Sequence, residues 1–187
     1  MDPVAQLTET ALERALAITQ QPMGNLQLID WQFGHLEIAA QRGFGPQFLK
    51  RFRIVKMTDG CACGRAFRLR ESVVIEDVAD DMAFLSLRES AQEAGFRSVQ
   101  STPLISHSGA FIGVISTHGS HGPNSRQLEE IKGLARETAD ELIWLRSRVG
   151  TLATAREAIA RAKELLKHPK PDTFLGKQHQ TFFSRAD

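Results

Sequence analysis

Apolar positions near the start of the chain recur at helical spacing: Leu7, Ala11, Ala15 and Ile18 share one face. Asp2 and Pro3 open this helix well, because Asp caps free N–H groups and a first-turn proline loses no hydrogen bond. "QQPMGN" closes it through Pro22 and Gly24. "NLQLID" and "HLEIAAQRG" then alternate apolar and polar, and "WQFG" between them predicts an antiparallel pair. "GPQFLKRF" reads as one or two helical turns that place Phe48, Leu49 and Phe52 on the core. After the "TDG" turn, "CACGRAF" reads as a short helix and "SVVIEDV" as a short buried strand. Asp80 or Asp81 caps the next helix, where Phe84, Leu87, Ala91 and Ala94 share a face until Gly95 ends it. A hairpin, "GFRSVQSTPLISHSGAFIGVISTHG", and a long helix capped by Asn124 or Ser125 follow.

This order predicts an α+β fold with a central antiparallel sheet of five to six strands. Helices at both ends cannot be crossovers between adjacent strands, so they cover one face. The other face is left to residues 44–94, which are loops and short helices. Such a roof leaves a pocket more readily than long helices do.

The hairpin carries polar residues where a core strand wants none. Val99, Ser101, Pro103 and Ile105 alternate with Gln100, Thr102, Leu104 and Ser106, while Phe111, Gly113, Ile115 and Thr117 alternate with Ile112, Val114, Ser116 and His118. Pro103 predicts an edge, a bulge or a break in pairing, and Gly113 a close approach by a helix or a small molecule. Ser101, Thr102, Thr117 and His118 are therefore read as polar contacts on an apolar pocket floor. Asp77, at the end of a buried strand, is placed at the rim, and Phe52, Cys63 and Phe84 complete the candidate ligand-binding set. The bland reading is that the hydroxyls bond neighbouring backbone around the proline.

Composition narrows the class. The chain has 187 residues, 42% hydrophobic and 24% charged, enough for one domain with a proper core and an appendage. A net charge of +1 argues against a nucleic-acid partner. No apolar run reaches the roughly 20 residues that span a bilayer, and "MDPVAQLTET" lacks the parts of a secretion signal, so a cytoplasmic protein without a membrane partner is expected. Two cysteines one residue apart make no disulfide framework.

"GNLQLID", "LEIAAQRGF", "CGRAF", "VVIEDVADD", "AGFRSVQSTPL" and "GAFIGVISTH" follow in order the pattern of GAF domains, over roughly residues 7–145. The chain resembles the subgroup joined to bacterial sensor kinases. The resemblance implies a sheet with terminal helices on one side and a ligand pocket on the other, in a regulatory module of signal transduction. The "NKFDE" motif of cyclic-nucleotide GAF domains is absent, and neither cysteine precedes a histidine as in bilin-binding members. One enzymatic branch reduces free methionine sulfoxide. Cys63 resembles its "GxCG" cysteine, but "DVADDMAF" has no cysteine where that branch keeps its nucleophile, so no catalytic residue is assigned. The ligand is left unidentified, and no cofactor or metal is specified.

Two features remain. Cys61 and Cys63 sit near a helix start, where a thiol's pKa falls, so redox sensing is weighed against burial as small hydrophobes. Leu128, Ile131, Ala135, Thr138, Leu142, Leu145 and Val149 step by three and four, as a coiled-coil seam does. A globular helix with a broad stripe explains the same pattern. The expectation is a homodimer through the terminal helices whose signal passes to a separate downstream protein or is read from the tail. The domain is drawn as residues 1–149, with 150–187 a helical extension and mobile tail whose Phe174, Phe182 and Phe183 are docking candidates.

Overall fold

Six strands make one antiparallel sheet in a computed structural model that describes residues 2–167, apart from the side chains of 149–155 and 165–167. The strands are β1 (Met23–Asp30), β2 (His35–Arg42), β3 (Ile54–Val55), β4 (Val73–Ile75), β5 (Ser98–Ile105) and β6 (Phe111–Gly119). Their order is β3-β2-β1-β6-β5-β4. The helices are α1 (Pro3–Thr19), α2 (Pro46–Arg51), α3 (Ala62–Leu69), α4 (Arg88–Ala94) and α5 (Ser125–Lys167), with a 3-10 turn over Met82–Leu87. The two-residue β3, at the sheet's edge, is the strand that alternation alone did not reveal. The described residues fall into two compact units, one ending at Ser147 and the other beginning at Arg148.

Local chemistry sets the element ends. Asp2 accepts from the Val4 N–H at 3.3 Å, and Pro3 occupies the first turn of α1. Asn124 and Gln127 exchange side-chain-to-backbone hydrogen bonds, both 2.9 Å, a reciprocal box at the start of α5. Asp81, not Asp80, caps the lid segment by accepting from Phe84 N–H at 3.0 Å. That segment is a 3-10 turn before it becomes α4, and Gly95 ends α4 in the left-handed region.

Two cores result. On one face α1 and α5 pack Leu12, Ala15, Ile131, Leu134, Ala135, Ala139 and Leu142 against Leu26, Ala40, Leu104 and Ile115. Ile131, Ala135 and Leu142 of the stripe expected as a seam thus pack on the chain's own sheet, while Leu128 and Leu145 are half-buried. Beyond it Ile159 is 56% exposed. Val149, Leu152 and Leu166 side chains, and Phe174, Phe182 and Phe183, lie outside the described residues. On the other face the segment between β2 and β5 packs six phenylalanines, Phe44, Phe48, Phe52, Phe67, Phe84 and Phe96, with both cysteines.

The hairpin's irregularities have separate causes. Pro103 pairs with Val114 across β6, and its other side lies beyond β4, whose pairing stops at Ser101. Its missing N–H therefore costs the ladder nothing. Gly113 is a close approach, but to a strand: an added Cβ would overlap the Gln27 carbonyl oxygen of β1. The register shifts between Leu104 and Ile105, so Phe111 joins the lid-side core and Ile112 the helix side, as Ile115 does. This reverses, at the start of β6, the alternation expected there.

Candidate functional site

Three rows of cross-strand neighbours make the floor under the lid. Val99, His118 and Met23 form one row, Ser101, Ser116 and Asn25 the next, and Pro103, Val114 and Gln27 the third. β1 and β6 are inner strands covered on both faces, so the polar members of these rows are buried. Ser101 and Ser116 satisfy each other at 2.7 Å. Asn25 Oδ1, Gln27 Oε1 and His118 Nδ1 are buried without a partner. An unpaired buried polar atom costs about 1–3 kcal/mol, so this floor is not an optimised apolar core.

His118 is the centre of the arrangement. It is 6% exposed, and three rings meet it edge-to-face: Phe96 at 4.8 Å, Phe44 at 5.0 Å and Phe48 at 6.0 Å between centroids. Burial without an acidic neighbour pushes its pKa down to about 3, so the ring is neutral at physiological pH. A neutral imidazole offers one donor and one acceptor nitrogen.

The roof over His118 is the α3 start. Cys61 is its N-cap, Cys63 lies in its first turn, and their sulfurs are 3.4 Å apart. The hydrogen bond from Cys63 lowers the Cys61 pKa against the opposing effect of burial. The same hydrogen bond, with burial, pushes Cys63 well up. The lid is tied down beside them by Arg65, which donates to Asp81 at 2.6 Å. Burial works to raise the Asp81 pKa, and the hydrogen bond and charge of Arg65 outweigh it.

Between floor and roof a space of about 10 Å3 remains, lined by Asn25, Cys61, Cys63, Ser101 and His118 within the phenylalanine box. That is room for about one water. The lid is closed on the floor, and a larger guest requires it to move.

Of the eight residues read from the sequence, five meet at this space: Phe52, Cys63, Phe84, Ser101 and His118. The other three do not. Strand alternation puts Thr102 and Thr117 on the opposite face from Ser101 and His118, so the four groups do not converge as expected. There Gln100, with its amide oriented to donate to Thr117 Oγ1 at 3.1 Å and accept from Thr102, satisfies both threonines. Asp77 is bound by Arg97, whose hydrogen bond and charge lower its pKa, and it accepts from Ala79 N–H at 2.9 Å. It is a surface clamp and does not line the space.

Asn25, Ser116, Phe44, Phe48 and Phe96 were missed. The signal for Asn25 was present: in "MGNLQLI" it shares parity with Met23 and Ile29, which face the lid core. A separate cluster, Asp30, His35 and Glu37, stands at the turn that joins β1 to β2, where His35 bonds Glu37 at 2.8 Å.

The comparisons agree with the fold. Residues 2–142 match the family model described as GAF domain. A domain of a sensor histidine kinase protein from Sinorhizobium meliloti is similar at TM-score 0.67 and 16% identity, covering 81% of this chain and 98% of that one. The GAF domain of a phosphoenolpyruvate-protein phosphotransferase from Coxiella burnetii is similar at TM-score 0.68 and 17% identity, covering 80% and 88%. Free methionine-R-sulfoxide reductase from Neisseria meningitidis, in complex with its substrate, is similar at TM-score 0.56 and 22% identity, covering 73% and 77%. None of the curated proteins matches the chain.

Proposed function

The chain belongs to the GAF domain family, and we propose that it is a regulatory module that senses a small molecule under its lid. The observation that carries this reading is the pair of unpartnered buried atoms, His118 Nδ1 and Asn25 Oδ1, at one closed space. A guest with a hydrogen-bond donor would satisfy Asn25 Oδ1, and its apolar body would replace lid rings against the floor. The lid that must yield is the 3-10 turn and α4, held at Asp81 and Arg65. A guest shifts such a closed-to-open equilibrium only by its differential affinity for the two states.

The output is read from the terminal helices, which pack on the reverse of the same sheet. We place the signal in a homodimer formed by their outer faces, with a separate downstream protein as receiver. The seam through Leu142 is already used, so the dimer contact falls on positions such as Trp144, which is 54% exposed.

A second reading is favoured by the smallness of the space: a filled, inert scaffold. A thermal-shift screen of small metabolites on the full chain separates them, because a specific guest at 100 times its dissociation constant adds about 2.7 kcal/mol. A hit lost in His118→Leu supports the sensor; a flat screen supports the scaffold. A thiol reductase is the third reading. It requires turnover of methionine sulfoxide abolished by Cys63→Ser, and the raised pKa of that buried thiol opposes it.

A further inference from the structure

A second concavity lies at the β5 edge of the sheet, shares no lining residue with the space around His118, and is independent of the reading above. It is a groove of about 390 Å3 between the end of α3, the start of β4, the edge of β5 and the side of α5. Its walls carry three cations, Arg70, Lys132 and Arg136, against one acid, Glu71. Its floor is apolar, from Pro103, Ile105 and Leu128, with the Ser72 and Thr102 hydroxyls joined at 2.8 Å beside it.

These cations are placed against ordinary preference. Arg70 caps α3 with φ 58, a left-handed conformation that a glycine adopts freely and an arginine does not. Its guanidinium stands 5.6 Å over the Phe111 ring and makes no ion pair among the described residues. Lys132 and Arg136 lie four apart on one helix face, where like charges repel. Among the described residues Lys132 pairs only with the exposed Glu129, at 2.6 Å. Arg136 acts on Asp140, which His107 already holds, and forms no side-chain hydrogen bond among the described residues. Two elements, the end of α3 and the side of α5, therefore bring three cations against one acid around one apolar-floored groove with room for a small metabolite.

We propose that this groove binds a small organic phosphate, its dianionic group held by Arg70, Lys132 and Arg136. Guanidinium forks match phosphate oxygens bidentately and the ammonium adds a point charge. The carbon skeleton lies over Pro103 and Leu128. Because Arg70 and Ser72 come from the lid-bearing segment and the other two cations from α5, the bound anion bridges the lid's base to the exit helix.

The test is a titration of the isotope-labelled full chain, followed by amide NMR, with glycerol 3-phosphate as probe. Glycerol serves as the uncharged control and sodium chloride as the ionic-strength control. Expected are saturable shifts at Arg70–Ser72, Thr102, Ile105 and Leu128–Arg136 with the phosphate alone, weakened about tenfold or more in Lys132→Gln/Arg136→Gln. Arg70→Gln, tested separately, weakens binding in the same direction if the double variant unfolds. No saturable shift, equal shifts with sodium chloride, or unchanged affinity in the variants overturns the proposal. Phosphatidic acid vesicles present the same group, and capture by them without any response to glycerol 3-phosphate overturns the soluble-metabolite assignment. Any of these failures leaves the chamber under the lid untouched.

Discussion

At the scale of single residues, His118 decides most. Its folded pKa of about 3 lies below the ordinary value of 6.5, so between these values the unfolded chain binds a proton that the folded chain refuses. Stability therefore falls as pH drops from about 6.5 toward 3, by up to about 1.4 kcal/mol per pH unit from this group alone. Denaturant unfolding at several pH values should show that slope, and His118→Leu should flatten it. An unchanged slope in the variant would place the imidazole in a wetter setting than the phenylalanine box provides. Asn25 gives the complementary lesson. Its polarity reads as a solvent-facing position only until β1 is known to lie inside the sheet, between β2 and β6. Alternation was legible in the residues; coverage of the second face was not, because it depends on segments far away in sequence.

At the scale of elements, the lid hangs on Asp81, which caps the 3-10 turn and bonds Arg65. Asp81→Asn keeps the cap and loses the charge pair, while Asp81→Ala loses both. Losing a cap costs about 1 kcal/mol and a partly exposed ion pair less, so thermal melts should rank wild type, Asn, then Ala. Equal melts for Asn and Ala would mean that the ion pair, not the cap, holds the segment. Gly113→Ala tests the floor. The added methyl collides with backbone of β1, which cannot rotate away, so a loss on the order of 1–3 kcal/mol is expected in denaturant unfolding. A neutral result would show that the two inner strands can spread. Helix ends and strand alternation were readable because caps, glycines and prolines act locally: Asp2, Asn124 and Gly95 each do what their type predicts. The β6 register was not, since the shift opposite Leu104 arises from pairing between strands.

At the scale of the whole molecule, the layered plan follows from the order of elements, and the family match over residues 2–142 agrees with it. What the pattern could not supply was the state of the space under the lid. An irregular roof suggested a roomy pocket, whereas the rings of Phe48, Phe52, Phe84 and Phe96 fold into it and leave about 10 Å3. Side-chain packing at that precision depends on rotamers and distances, not on apolar spacing. The chain therefore presents a closed site whose floor keeps unpaired polar atoms, a state that a guest with the right donor improves. Native mass spectrometry of the full chain, purified without dialysis, tests this most directly. The account predicts a noncovalent small-molecule adduct on the wild-type protein that is lost in His118→Leu. Bare protein mass in the wild type, or an adduct that persists unchanged in the variant, would contradict it.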